Sequence, residues 1–363
     1  NSFCTLLAPA MAETIKTPVT EMLGIKHPVM LAGMNAVAGP DLAAAISNAG
    51  GLGVIGGVSY TPKVMRKMLE ELKAKLATPT TPFGVDLLLP QVGGSARKTN
   101  EDYTRGKLPE LIDIIIEAKA TLFVSAVGVP PKWAVDKLHA AGIPVMNMIG
   151  SVRHVKKAID AGVDIICAQG TEGGGHTGAV ATTVLLPQVV DLCKNTKAPI
   201  NGKPINVVAA GGIVDGRGLA MALSLGASAV WVGTRFICAT EASAPPRHQK
   251  TVLKAGSEDT IRTTIYTGRP LRIHRVPYVE HFEEYRRAEI REAQKTGVIA
   301  GVKDLKERGE RGEIPPISDR APLLMGQAIG MVNEITPGKK ILEDMVAQAI
   351  DVLRFNTSRI SKL

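Results

Sequence analysis

Eight short apolar runs recur along the first two-thirds of the chain: Pro28–Met34, Gly51–Gly57, Phe83–Pro90, Thr121–Gly128, Pro144–Gly150, Asp164–Gly170, Asn206–Gly212 and Ser228–Thr234. They lie about 20 to 40 residues apart, the interval a βα repeat needs. Each reads as a continuous hydrophobic stretch rather than an alternating one. Such strands are buried on both faces, which predicts parallel pairing under a layer of helices. The segments between them carry helix signals. Asp41–Ala49 follows Gly39-Pro40, and Pro62–Leu76 has Thr61 as N-cap with Pro62 at the first helical position. Pro109–Ala118 spaces Leu111, Ile112, Ile115 and Ile116 along one face. Pro131–Ala141, Val152–Ala161 and Arg217–Leu225 close at Gly142, Gly162 and Gly226.

Eight such units predict an α/β fold, a (β/α)8 TIM barrel over residues 20–256. A doubly wound open sheet is the alternative, but there the glycine-rich turns would gather at one switch point. Here they follow the first, second, sixth, seventh and eighth strands. Beyond residue 256 the rhythm stops. Residues 257–335 read as a small, mostly helical lid. It holds a basic, Pro-flanked stretch at Leu271–Pro277, a surface helix over Glu280–Thr296 that stops at Gly297, and a charged connector over 303–320. A last helix, about Lys339–Arg354 within 336–360, puts Leu342, Met345, Val346, Ala349 and Leu353 on one face and packs back on the barrel.

Composition narrows the class. The 363 residues suit one large barrel plus a lobe, and 45% hydrophobic with only 4% aromatic content favours an α/β enzyme over a β-sandwich. No uninterrupted apolar run reaches the ~18 residues of a membrane span. Cys4, Cys167, Cys193 and Cys238 are scattered without a C-x-x-C pair, which argues against a metal cluster or disulfide framework. The net charge of +9 is spread among acids along the chain, so it predicts attraction for anionic ligands rather than a nucleic-acid stripe. Residues 1–19 read as an N-terminal extension, with Met11 opening a more ordinary start. The tripeptide Ser361-Lys362-Leu363 matches the peroxisomal address, so in a eukaryotic source it predicts peroxisomal import through its receptor, and a cytoplasmic enzyme otherwise.

Ligands of a barrel bind at the C-terminal ends of its strands. Those ends carry Gly33 and Met34, Asp86, Asn147, and Gln169 followed by five glycines in the nine residues Gly170–Gly178 around His176. They continue with Gly211, Gly212 and Asp215-Gly216-Arg217, then Trp231, Val232, Gly233, Thr234 and Arg235. Paired Gly-Gly and Gly-Thr turns on the last two strands form a phosphate cradle of backbone N–H groups and a hydroxyl. His176 follows three glycines at a strand end, where a core histidine would have little to pack on, and its imidazole can take a proton near neutral pH. Glu172 is either an orienting group or a solvated loop residue. The other six histidines lie before strands, on helices or in connectors. No His/Cys/carboxylate set has metal-ligand spacing, and no P-loop or strand-linked G-x-G-x-x-G occurs.

The strings Gln169-Gly170-x-Glu172-x-Gly174-Gly175-His176-x-Gly178, Ala210-Gly211-Gly212-Ile213-x-Asp215-Gly216-Arg217 and Gly233-Thr234-Arg235-Phe236 resemble the signature of the nitronate monooxygenase family, formerly the 2-nitropropane dioxygenases. Ala43–Gly53 is similar to its first helix and second strand, and the resemblance runs from about residue 20 to 355. It implies a TIM barrel holding FMN non-covalently. Gln169, Gly174 and Gly175 would contact FMN, and Gly211, Gly212 and the segment Trp231, Val232, Gly233, Thr234 would hold its phosphate. Gly33 and Met34 would back the ring through their main chain, and His176 would be the catalytic base. Asp86, a further FMN contact by the same resemblance, stands where many members have Asn; the acid either faces the flavin and alters its electronics or bonds a neighbouring amide. The implied activity is oxidation of nitronates or nitroalkanes by O2 to a carbonyl compound and nitrite, in a monomer or homodimer. An NAD(P)H-dependent quinone or enoyl reductase on the same scaffold is the alternative.

Overall fold

The computed structural model describes residues 13–58 and 60–361. Most of the expected N-terminal extension, and Lys362 and Leu363 of the targeting tripeptide, lie outside the described residues. Among the described residues eleven strands are formed: β1 (Val29–Leu31), β2 (Gly53–Gly57), β3 (Phe83–Leu88), β4 (Leu122–Ala126), β5 (Val145–Ile149), β6 (Ile165–Gln169), β7 (Gly175–His176), β8 (Asn206–Ala210), β9 (Ala229–Val232), β10 (Thr260–Thr263) and β11 (Leu271–His274). Eight of them make one sheet in the order β1-β9-β8-β6-β5-β4-β3-β2. Every pairing in it is parallel. A parallel bridge between Met30 and Leu52 joins its two edges, with the Leu31 N–H donating to the Leu52 carbonyl at 2.9 Å. The eight expected strands therefore form a TIM barrel.

Side-chain alternation divides the core in two. Val29, Leu31, Val85, Phe123, Val145, Ile166, Ala209 and Val232 face outward into the layer beneath the helices. Met30, Val54, Val124, Met146, Cys167, Val208 and Trp231 fill the interior. Both sets are buried, which is why the strands read as unbroken apolar runs. The interior cluster also takes in Val19, Leu23 and Ile25. They belong to or follow a short helix, Pro18–Leu23, started by a capping box on Thr17. Leu122 and Ile165, the first residues of β4 and β6, share that cluster, so the helix plugs the N-terminal end and leaves the other end for ligands.

The expected outer helices are present at Pro40–Asn48, Pro62–Lys75, Leu108–Glu117, Lys132–Ala140, Val155–Asp160 and Gly216–Ser224. Thr182–Cys193 and Pro246–Lys254 are additional. The first hides from pattern reading because Pro187 lies inside it. The final helix, Gly338–Ser358, buries Ile341, Leu342, Met345, Val346 and Ala349. It crosses so close to Gly216 that a Cβ there would lie 2.4 Å from the Met345 carbonyl oxygen.

The lid departs from expectation in three ways. It contains a β-hairpin, β10–β11, whose β11 pairs with β7. The helix expected over Glu280–Thr296 is two, Pro277–Tyr285 and Arg287–Thr296, with the break at Arg286. The expected connector over 303–320 holds the helix Ala300–Glu310 and the short helix Ile317–Arg320. The physical reason is Asp304, which is buried and accepts from Arg286 Nη1 at 2.7 Å, Arg308 Nε at 2.8 Å and the Tyr278 hydroxyl at 2.9 Å. Charges that composition assigns to solvent are spent on one another around a small core of Ile265, Leu271, Ile273, Val279 and Phe282.

Candidate active site

At the mouth of the barrel, the loop after β6 turns back and is gripped by the lid. His176 and Gly175 pair with Leu271 and Arg272 of β11. Arg272, itself buried, donates from Nε to the Thr171 carbonyl at 2.9 Å, and Arg262 Nη1 donates to the Gly178 carbonyl at 2.9 Å. Two lid arginines thus hold the two ends of the glycine loop by backbone oxygens. From below, Gln169 Nε2 donates to the His176 carbonyl at 2.7 Å. These contacts set the position of the His176 ring.

The ring itself meets Thr267, with Nε2 3.1 Å from Oγ1. That hydroxyl donates to the Arg269 carbonyl at 3.2 Å and accepts from the Arg269 N–H at 3.3 Å. A hydroxyl has one proton to give. Given to the Arg269 carbonyl, that proton puts the imidazole hydrogen on Nε2 and leaves Nδ1 its lone pair; given to Nε2, it sets the opposite tautomer. Burial, together with the positive charge of Arg269, lowers the His176 pKa to about 4. The imidazole is therefore neutral at physiological pH, with one ring nitrogen left as a proton acceptor.

Asp86 lies opposite, on β3 beside Gly56. It is 2% exposed, and among the described residues no hydrogen-bond donor reaches its Oδ1. Burial alone raises its pKa to about 8, so it is a neutral carboxylic acid at pH 7. A Cβ at Gly33 would come within 2.5 Å of Asp86 Oδ2, which shows how closely the end of β1 packs on it. Asn147 is also buried, but alternation along β5, with Met146 inward, turns it outward. There its Nδ2 donates to the carbonyls of Ser125 at 2.9 Å and Gly128 at 2.6 Å, holding the loop after β4.

The turns after β8 and β9 stand together. Gly211 and Gly212 have φ of +94° and +77°, which L side chains rarely adopt. Trp231 points into the barrel, whereas Val232 packs in the outer layer, so Val232 can face the mouth only through its main chain. The Thr234 hydroxyl accepts from the Gly326 N–H at 2.9 Å, which leaves its own proton to donate. Glu172 is a structural capping group: its carboxylate accepts from the Thr182 N–H at 3.1 and 3.0 Å, at the start of Thr182–Cys193. Asp215 likewise caps Gly216–Ser224 and pairs with Arg217. Gly174 lies against the lid, where a Cβ would sit 2.6 Å from the Met325 carbonyl carbon.

Met34, Asp86, Gln169, the 173–176 loop and the 211–212 and 231–234 segments therefore share one end of the barrel. Sequence reasoning missed the lid side: Thr267, Arg269, Arg262, Arg272 and Gly326. The basic, Pro-flanked stretch at Leu271–Pro277 contains Arg272 but stops short of Thr267 and Arg269, for which Gly268-Arg269-Pro270 just before it was the available signal.

Comparisons with known proteins agree with this geometry. The family model "Nitronate monooxygenase" matches residues 16–348. The chain is 34% identical to the "(3aS,4S,5R,7aS)-5-hydroxy-7a-methyl-1-oxo-octahydro-1H-indene-4-carboxyl-CoA dehydrogenase" of Rhodococcus jostii, over 93% of this chain and 96% of that protein. It is 31% identical to the "Probable nitronate monooxygenase" of Staphylococcus saprophyticus, over 75% and 82%. Among solved structures, FabK from Thermotoga maritima superposes with a TM-score of 0.75 at 31% identity, over 95% of this chain and 100% of that one. The nitroalkane oxidase of Streptomyces ansochromogenes superposes with a TM-score of 0.74 at 23% identity, over 93% and 99%, a likeness of fold. A glycine-held, neutral histidine over the mouth of a TIM barrel, with a family match across nearly the whole chain, establishes that the chain belongs to the nitronate monooxygenase family and is an oxidoreductase.

Proposed function

We propose that the protein binds FMN at the barrel mouth and oxidises nitronates or nitroalkanes with O2, giving a carbonyl compound and nitrite. The observation that carries this is His176, a half-buried neutral imidazole whose Nε2 meets the Thr267 hydroxyl, held on a two-residue strand over the mouth. The residues fit a flavin. The Gly211-Gly212 turn presents backbone without side chains, and the Thr234 hydroxyl has a proton to donate, as a phosphate requires. Asp86 offers a buried carboxyl with an unused oxygen, as the polar edge of a ring requires. FMN, when bound, would supply the electron acceptor and the route to O2.

The chain's own residues prepare the substrate. Nδ1 of His176 takes the proton from the carbon bearing a neutral nitro group, and a substrate already present as nitronate needs no such step. With its proton given to the Arg269 carbonyl, Thr267 holds the imidazole in the tautomer that leaves Nδ1 open. Lid residues Met325 and Gly326 close over the loop at Gly174 and limit access of water.

A second reading is a dehydrogenase of acyl-CoA thioesters, favoured by the Rhodococcus jostii relative. The same neutral base could take an α-proton from a thioester. Anaerobic reduction of the yellow protein separates the readings. Bleaching by propionate-3-nitronate or nitroethane, with nitrite released on admitting air, supports the nitronate reading. Bleaching only by an acyl-CoA moves the assignment to the dehydrogenase, and bleaching only by NADPH moves it to a reductase. A protein that takes up no flavin ends all three.

A further inference from the structure

The hairpin loop between β10 and β11 carries Arg269 to the barrel mouth. Gly268, at φ +66°, packs so tightly on Thr99 that a Cβ there would lie 2.2 Å from its hydroxyl. From this anchored tip, Arg269 Nε donates to Asn100 Oδ1 at 2.8 Å and Nη1 donates to the Val127 carbonyl. Both partners are uncharged. Among the described residues, no carboxylate lies within 4 Å of this half-buried guanidinium, and Nη2 has no hydrogen-bond acceptor. Its neighbours deepen the positive field. Arg97 acts on it, and His154, itself close to Arg153 and Lys157, lies within reach of its charge. Tyr103 is the ionisable group that opposes them.

A desolvated cation without a counter-charge costs free energy. The backbone costs more here, because Val127 presents its carbonyl from φ +68°, a region that β-branched residues avoid. A guanidinium held half out of water without a carboxylate partner, and near enough to His176 for its charge to act on that ring, is suited to receive an anion.

The structure assigns Arg269 as the counter-ion site for a planar oxyanion of the substrate, engaged through Nη2 beside the His176 ring. The guanidinium fork matches such a group in shape as well as charge. The identity of the oxyanion rests on the nitronate reading above: it is the nitronate itself or a carboxylate on the same molecule.

Nitrate is a suitable probe, being planar, anionic and inert. It is titrated by calorimetry into the flavin-loaded protein at an ionic strength held constant with chloride. The wild type is expected to bind it, Arg269→Gln about tenfold more weakly or worse, and Arg269→Lys in between. Equal affinity in the wild type and Arg269→Gln, or no binding by the wild type, overturns the assignment. Competition between nitrate and ethyl nitronate in the wild type depends on no variant's folding, and its absence also overturns it. The source of the oxyanion follows from kcat/KM. Arg269→Gln losing equally on ethyl nitronate and propionate-3-nitronate places the nitronate at Arg269, and loss confined to the latter places the carboxylate there. Unchanged rates on both refute the site. A protein that oxidises neither compound but binds nitrate through Arg269 keeps this subsite and loses the nitronate reading.

Discussion

Replacing Asp86 by Asn tests whether the buried carboxyl in the barrel holds its proton. Between about pH 4 and pH 8 the folded protein keeps a proton on Asp86 that the unfolded chain has released, since burial raises its pKa from 3.8 to about 8. The folded state binds more protons in this window, so stability falls as pH rises, by about 1.4 kcal/mol per pH unit. Over pH 5 to 7 that is about 2.7 kcal/mol that the wild type loses and Asp86→Asn does not. The unfolding entropy of a chain this size is roughly 0.75 kcal/mol per kelvin, so the melting temperatures should diverge by about 4 °C over those two pH units. Asn brings its own buried amide, so the absolute stabilities of the two proteins carry little information. The difference in slope isolates the carboxyl, because every other titrating group is common to both. The assay is thermal unfolding of flavin-free protein at half-unit steps from pH 4.5 to 8. Parallel curves would refute the reasoning and mean that Asp86 is ionised, with a donor or solvent at Oδ1 that the structure does not contain.

The other expected outcomes concern the histidine and the lid. His176→Gln should lower kcat/KM for nitroethane by about 10³-fold but that for ethyl nitronate by less than about tenfold, because a nitronate has already lost its proton; equal losses measured side by side would remove His176 as the base. With its pKa held near 4, the wild-type rate on nitroethane should stay level from neutrality to about pH 5 and then fall tenfold per pH unit below 4, as Nδ1 becomes protonated. A break near the ordinary histidine value would show the ring to be solvated. Thr267→Val removes the hydroxyl that sets the tautomer and should lower kcat for nitroethane roughly tenfold with KM little changed, while Thr267→Ser retains activity. Gly326→Ala places a Cβ 2.5 Å from the Glu172 carbonyl oxygen and should cost about 1–3 kcal/mol, read as a lower midpoint in urea.

The barrel was legible because burial on both faces leaves a direct mark on sequence. Every residue of β4 and β8 is buried, and so each reads as an apolar run interrupted only by Ser125 or, at its start, by Asn206. The lid left no such mark. β7 is two residues long, and what makes it a strand is β11, far along the chain, so no local pattern could announce it. Asp304, Arg286 and Arg308 carry the composition of solvated residues, and only their proximity turns them into a core element. Arg269 was hidden in the same way: its place beside His176 comes from hairpin register, not from neighbouring residues. Asn147 is a different case. Parity puts it on the face of Val145 and Ile149, opposite Met146 and Met148, but a strand apolar on both faces does not say which face is inside, and only packing shows that Asn147 turns outward.

The glycine loop shows where reading of this kind reaches its end. So many glycines imply backbone that something approaches closely, and the inference from sequence was a ligand. For four of them the structure supplies a protein partner instead, a Cβ at Gly173 falling 2.9 Å from Gln169 Nε2. A Cβ at Gly170 would lie 2.0 Å from the Thr182 hydroxyl, one at Gly174 2.6 Å from the Met325 backbone, and one at Gly178 1.9 Å from the Gly150 carbonyl oxygen. These glycines let the loop nest against the loop after β5, the next helix and the lid, and that nesting holds His176 over the mouth. Gly211 and Gly212 differ, since both need a left-handed turn; a Cβ at Gly211 would still lie 3.0 Å from the Gly170 carbonyl oxygen, whereas one at Gly212 would be in ordinary contact, 3.5 Å from Glu172 Cβ. A glycine-rich string therefore reports close approach without saying by what. Here the string around His176 builds the support of the base, while the pair after β8 is the better candidate for touching a cofactor.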